Sequence, residues 1–339
     1  MNQAISAHIS VVVIGRNEGA RLSACLASVM AADRAGHELE LIYVDSDSSD
    51  DSIARAQACG ARVIGIRPAR PSAAAGRNAG WRVATGQWVL FLDGDTQLDH
   101  DFLPRALDEI GQAADLAAIW GHRRESRPAA SIYNRVLDLD WIYPPGDTTF
   151  CGGDALFRRA ALDAVGGFDD SLIAGEEPEL CARLRAAGWR IRHIDAPMTR
   201  HDLAITQWRQ YWRRAERAGH AYAEISARFA HLPDGLWRQD ARRNRLHGAV
   251  LLGGTAITLA AAIGGHPLVL AGALCTATAV LLRTAWRARW KCDSVATLLL
   301  YAAHSHLQQL PILWGQLVWR RAQFSGRRRR LIEYKDPSA

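Results

Sequence analysis

Lysine is almost missing from this 339-residue chain: only Lys291 and Lys335 stand among 41 basic side chains, the rest being arginine. The N-terminal loop GRNEG (Gly15–Gly19) therefore lacks the lysine of a Gly-rich phosphate loop, which argues against a nucleotidyltransferase with a related sheet. Cysteine is scarce as well. Cys25, Cys59, Cys151, Cys181, Cys275 and Cys292 are scattered without a CxxC pair. That argues against a structural zinc site and reads as reduced, mostly buried thiols in a cytosolic setting. The first residues carry no basic region followed by an apolar run, so no secretory signal is expected. Internal repeats and low-complexity segments are also missing.

What is present suits a folded protein: 49% hydrophobic and 22% charged residues. The length fits a catalytic domain of roughly 200–250 residues with an added module. The net charge of +6 is unevenly placed. From Arg242 onward there are about 14 basic and about 3 acidic residues, which leaves roughly −5 for the rest.

A basic stretch of that kind suits nucleic acid or anionic lipid, and what separates its charges decides between them. Two uncharged apolar segments, about 248–265 and 267–282, flank the turn signal GGHP. Arg242, Arg243 and Arg245 precede them; Arg283, Arg287, Arg289 and Lys291 follow. Each segment is near the lower length limit for a bilayer span. The pattern predicts a membrane hairpin with both basic ends on the cytoplasmic side. A buried helical hairpin in a soluble domain is the alternative. Nucleic acid is not expected as a partner, because the charges flank apolar segments rather than interleaved aromatics. Residues 294–319, with His304, His306, Gln308 and Gln309, read as interfacial or amphipathic, and GRRRR at 326–330 as a contact for anionic head groups.

The first part reads differently. ISVVVI (Ile9–Ile14), LELIYV (Leu39–Val44), ARVIGI (Ala61–Ile66) and WVLFL (Trp88–Leu92) are strand-length apolar runs. Helical stretches, Ala20–Ala32 and Ala73–Thr85 among them, separate them, which predicts a doubly wound, mostly parallel sheet. Ligands of such sheets lie beyond the carboxyl ends of the strands. The polar clusters fall there: GRNE with Arg16 and Glu18, DSDSSD with Asp45, and DGD with Asp93 and Asp95.

Two aspartates around a glycine can turn toward one ligand and offer hard oxygen donors to Mg²⁺ or Mn²⁺. Alone, the same triplet is more readily an ordinary Asx turn than a metal site. Asp45 suits either a base or ribose contact or a helix N-cap. Arg77 and Asn78, on a helix near the same edge, suit a diphosphate, with a surface role as the alternative for Arg77. Further on, Gly152-Gly153-Asp154 allows close backbone approach by an acceptor. His201 in TRHD is a third metal-ligand candidate.

Taken in order and spacing, VVVIGRNEGARL, YVDSDSSDDS, GRNAGWRVATG and FLDGDT resemble the nucleotide-binding half of glycosyltransferase family 2, with its GT-A fold. The likeness continues through FCGGDALFRR and VGGFDDSLIAGEEPELCARLRAAGW to QWRQYWRR, covering roughly Ile9 to Tyr222. It implies an α/β fold of GT-A type over 1–232, followed by a helical, membrane-associated region over 233–339. It implies a nucleotide-sugar donor, with Asp45 on the base, Asp93 and Asp95 as the metal motif, and Asp95 as the more direct ligand. It also implies an acidic pair that opens the acceptor-side helix and supplies the general base, here Glu176-Glu177. Such pairs are usually Glu-Asp; the change to Glu leaves the choice between the two open, with Glu177 favoured. QWRQYWRR resembles the Gln-x-x-Arg-Trp element of processive synthases without an Arg-Trp dipeptide, and Arg213 and Arg214 are its donor-side candidates.

The expected activity is an inverting, metal-dependent transfer from a UDP- or GDP-linked sugar to a lipid-linked or other membrane-proximal saccharide. The expected location is the cytoplasmic face of a bacterial inner membrane, and a homo-oligomer is compatible with it. A processive polysaccharide synthase and a non-catalytic membrane scaffold are the competing readings.

Overall fold

The computed structural model describes residues 8–68, 72–230 and 235–325. The strands are β1 (Ile9–Gly15), β2 (Leu39–Asp45), β3 (Arg62–Gly65), β4 (Trp88–Asp93), β5 (Thr96–Leu98), β6 (Leu116–Glu125), β7 (Gly146–Thr148), β8 (Ala155–Arg158) and β9 (Arg190–His201). Among them run helices α1 (Ala20–Ala31), α2 (Ser52–Ala58), α3 (Ala73–Val83), α4 (Phe102–Gln112), α5 (Ile132–Asp140), α6 (Arg159–Val165) and α7 (Glu176–Ala186). After β9 come α8 (Trp208–Arg228), α9 (Arg238–Ile263), α10 (Pro267–Ala288), α11 (Val295–Leu307) and α12 (Gln309–Ser325). The chain divides into two compact units, residues 1–126 with 141–203, and residues 127–140 with 204–339.

The first unit holds the whole sheet, in the order β3-β2-β1-β4-β8-β6-β9-β5, with β7 on β9. Its N-terminal half, β3-β2-β1-β4, is parallel. β8 runs antiparallel between β4 and β6, so the sheet as a whole is mixed. β1 and β4 are continuous runs of Val, Ile, Leu and Phe because helices cover both faces of the sheet there.

Register is what matters for function. Gly15 of β1 lies opposite Asp45 of β2, and Ile14 opposite Asp93 of β4. The loops after three strands therefore open at one level. From the other half, Glu125 of β6 and Thr96 of β5 both pair with His201 of β9, and Phe91 of β4 pairs with Ala155 of β8. Strand pairing alone thus carries Asp93, Asp95, Asp154 and His201 to one edge.

The second unit is helical. α8 crosses α12 closely enough that a Cβ on Gly219 would lie 2.1 Å from the Ile312 carbonyl oxygen, and one on Gly315 would lie 2.1 Å from that of Glu216. Residues 294–319, read from sequence as one amphipathic stretch, form two helices broken near Gln308. Pro311 has no N–H to donate to Leu307, so the chain restarts there. A polar chain lies inside this unit: the Tyr211 hydroxyl is 2.8 Å from His304 Nδ1, and His304 Nε2 is 3.1 Å from Asp140. α9 and α10 are long and apolar enough to cross a membrane by length and composition. Val250, Ile257, Ile263, Leu268, Leu274 and Leu282 on them are exposed. The GRRRR segment lies outside the described residues.

Candidate active site

The loop after β1 and the loop after β2 are latched together. The Asn17 amide donates to Ser48 Oγ at 2.9 Å, and the Ser49 amide to Asn17 Oδ1 at 2.8 Å. The amides of Glu18 and Gly19 both donate to Ser52 Oγ at 3.1 Å. Asn17 and Asp47 sit at φ 56° and 64°, the left-handed region that Asn and Asp adopt more readily than other non-glycine residues. Asp45 is buried at the junction. Its Oδ1 accepts from the Tyr43 hydroxyl at 3.0 Å and the Ser48 hydroxyl at 2.6 Å, and its Oδ2 from the Ser48 amide at 2.8 Å. α2 begins seven residues further on, with Asp51 at its N-cap, so Asp45 does not cap it. Arg16 is exposed beside this loop. Glu18 pairs with Arg21 at 2.9 Å, and its Cγ lies where a Cβ on Gly94 would touch it.

Asp93, Asp95 and His201 form the one candidate metal cluster among the described residues, with ligand atoms all within 4.8 Å of one another. His201 Nε2 is 3.3 Å from Asp95 Oδ2. Burial, reinforced by Arg123, holds the His201 pKa down at about 3, so the ring is neutral and its lone pair available. Its Nδ1 is buried without a hydrogen-bond partner. Two carboxylates and a neutral imidazole fit a divalent cation.

Asp154 follows the Gly152-Gly153 pair, but its carboxylate turns inward. Oδ1 accepts from the Asp93 amide at 3.1 Å, and Oδ2 from the Thr199 hydroxyl at 2.8 Å. Arg123 of β6 reaches Asp93 Oδ2 at 3.4 Å and Asp154 at 3.5 Å, with its guanidinium 4.9 Å from the Trp141 ring centroid. Trp141 meets His201 edge-on at 5.1 Å.

The acidic pair stands at the N-terminus of α7, where the helix dipole favours carboxylates. Glu176 is 5% exposed in its side chain and Glu177 18%. Burial, then the neighbouring Glu176, push Glu177 up from 4.5 to about 7, against the pull of Arg77. A carboxyl poised near neutrality that keeps part of its surface exposed has the properties of a general base. Arg77 is the hub. Its Nη1 donates to Glu176 at 3.2 Å and to Glu177 at 3.0 Å, and its Nη2 to Asp93 at 3.0 Å. Gly153 packs against it so tightly that a Cβ there would lie 2.4 Å from Arg77 Nη2.

Of the candidates named from sequence, Asp93, Asp95, His201, Glu176, Glu177, Arg77, Gly153 and Asp154 lie together at one edge. Asn78 points elsewhere: it holds the Phe168 carbonyl at 2.8 Å, accepts from the Phe168 amide at 3.0 Å and Trp81 Nε1 at 2.8 Å, and pairs with Asp170. Gly152 faces open space apart from Arg123. Arg213 and Arg214 belong to α8 in the second unit. Arg123 and Thr199 were missed. Their only signal was position near the end of a strand, which many charged and hydroxyl residues share.

Residues 10–166 match the model of the glycosyl transferase family 2. An uncharacterized glycosyltransferase of Mycobacterium tuberculosis is 30% identical over 201 residues, covering 55% of this chain and 83% of that protein. The pre-mycofactocin glycosyltransferase of the same organism is 28% identical over 237 residues, covering 65% of this chain and 48% of that one. Among solved structures, a mannosyltransferase from Pyrobaculum calidifontis in complex with GDP-Man and Mn²⁺ superposes with a TM-score of 0.62 at 21% identity, over 90% of this chain and 88% of that one.

Proposed function

This chain belongs to glycosyl transferase family 2, and we propose that it is an inverting, metal-dependent enzyme moving a sugar from a UDP- or GDP-linked donor to a membrane-proximal acceptor. One observation carries the reading: the Asp93–Asp95–His201 cluster and the open carboxyl of Glu177 meet on the same buried guanidinium, that of Arg77.

On this reading the latched loops after β1 and β2 receive the nucleotide, with Arg16 and Glu18 at their rim. Asp45 accepts two donors on Oδ1 and one on Oδ2, so a carboxylate with about four acceptor sites has one on Oδ2 left for an N–H of the base or a ribose hydroxyl. A divalent cation, Mg²⁺ or Mn²⁺, held by Asp95 with Asp93 and His201, would neutralise charge on the departing diphosphate. Arg123 adds positive charge on the same side. Glu177 takes the proton of the acceptor hydroxyl as its oxygen attacks the anomeric carbon from the face opposite the diphosphate, which inverts the centre. Gly152 leaves room for the acceptor's approach. Asp154 acts indirectly, by fixing the Asp93 backbone and Arg123. Asn78 holds the loop at Phe168–Asp170.

The acceptor is a lipid-linked saccharide or another sugar held at the membrane, and the enzyme works on the cytoplasmic face of a bacterial inner membrane. Supporting this are the two apolar helices with Arg242, Arg243 and Arg245 in the start of α9 and Arg283, Arg287, Arg289 and Lys291 at or beyond the end of α10. The test of the metal assignment is donor binding by the full chain in detergent, with and without Mn²⁺. Cation-dependent binding of a UDP- or GDP-sugar that is lost in Asp95→Ala supports it. Unchanged binding in Asp95→Ala overturns it.

A further inference from the structure

We infer that Arg77 is a positioning residue, which holds the base Glu177 in register with Asp93, and is not a ligand of the donor diphosphate. The inference rests on Glu177 being the base. Arg77 lies on α3 and ties three separate elements together: Asp93 at the end of β4, and Glu176 and Glu177 in the first turn of α7. Its side chain is 2% exposed. The Phe168 ring lies 5.6 Å from its guanidinium carbon, and Gly153 leaves no room for even a methyl group beside Nη2. A phosphate needs an open fork of N–H donors. Here both terminal nitrogens already face carboxylates. Burial alone would pull the guanidinium down; Glu177, Asp93 and Glu176 outweigh it and push it up, so it is a fixed charge.

Arg123 shows the contrast. It is 15% exposed, its contacts with Asp93 and Asp154 are longer, and it stacks on Trp141. Of the two cations beside Asp93, Arg123 is the one a diphosphate can reach.

What a planar fork supplies, and a point charge does not, is a set distance between two partners. Through Arg77 the carboxylate on the donor side and the carboxylate on the acceptor side are spaced by one guanidinium. Misplacing a base by about 1 Å costs on the order of 100-fold in rate.

The experiment is a double-mutant cycle on the full chain, reading kcat and donor KM separately. Arg77→Gln should lower kcat about 100-fold and leave donor KM within about threefold. In a Glu177→Gln background the same change should cost less than about threefold, because the group it positions is gone. Arg77→Lys reads the same split should Arg77→Gln fail to fold, and guanidinium ion should restore part of the kcat of Arg77→Ala. A donor KM raised about tenfold with kcat little changed would make Arg77 a diphosphate ligand. An equal loss in both backgrounds would overturn positioning while leaving the base assignment intact. Full activity in Glu177→Gln would remove the base and this inference with it.

Discussion

Glu176 and Glu177 are adjacent and chemically identical, so their difference is entirely one of surroundings. Glu176 is sealed against Arg77, whereas Glu177 keeps a path to solvent and a carboxyl raised to about 7. A base must be ionised to act, so activity should climb with pH through about 7 and fall below it with unit slope. Glu177→Gln should lower kcat by about 10³-fold. Both are read from one pH–rate series. The same shift has a stability consequence of opposite sense. A carboxyl raised from 4.5 to about 7 holds its proton in the folded state where the unfolded chain has lost it. Its contribution is complete below pH 4.5 and is lost as pH rises through 7. Glu177→Gln, which does not titrate, should therefore gain melting temperature relative to wild type at pH 8 and gain none at pH 4. At Gly153 a methyl group would strike Arg77 Nη2, so Gly153→Ala should lose most activity while the sheet, measured by circular dichroism, stays folded.

At the scale of elements, the informative joints are close crossings and shared registers. α8 and α12 approach through Gly219 and Gly315, each against the other helix's backbone carbonyl. Neither carbonyl can move as a side chain tip would, so Gly219→Ala should destabilise the helical unit by about 1–3 kcal/mol, the cost of forcing extra volume into a packed contact. Denaturant unfolding followed by tryptophan fluorescence measures it. The elements also explain what could be read from sequence. β1, β2 and β4 announce themselves through short runs dominated by Val, Ile, Leu and Phe, and their ends through Asp and Gly. The DGD triplet was legible as a local cluster at such an end, whereas the acidic pair, which opens α7, was legible only through the family resemblance. Arg123 and Thr199 were not, since β6, β8 and β9 bring them to Asp93 and Asp154 by pairings across 30 to 45 residues. Asp154 was expected beside the acceptor. β8 leaves the edge antiparallel to β4, which turns its carboxylate back onto the Asp93 amide. Asn78 follows Arg77 by one residue, and on a helix that rotates it about 100° away from Arg77's side, into the loop at Phe168.

For the whole molecule, the sheet-bearing unit holds the proposed site, and the helical unit holds the exposed apolar side chains of α9 and α10. α9 and α10 contain no Asp, Glu, Lys or Arg between Arg245 and Arg283. From Leu246 to Ile263 the rise is roughly 27 Å, close to a hydrocarbon core. Two charges placed there, Ile257→Lys with Leu274→Lys, should shift the protein from the membrane to the soluble or aggregated fraction on sedimentation. Unchanged sedimentation with lipid vesicles would contradict membrane insertion.

On the proposed reading, this edge transfers a sugar from a nucleotide donor with Glu177 as base. The most direct measurement of that transfer is nucleoside diphosphate release by the purified full chain, supplied with UDP- and GDP-sugars, Mn²⁺ or Mg²⁺ and a bacterial lipid extract. The prediction is lipid-dependent release from at least one donor, cut about 10³-fold by Glu177→Gln and far less by a control such as Arg82→Gln at an exposed position of α3. No release from any donor, or equal release by wild type and Glu177→Gln, would contradict it.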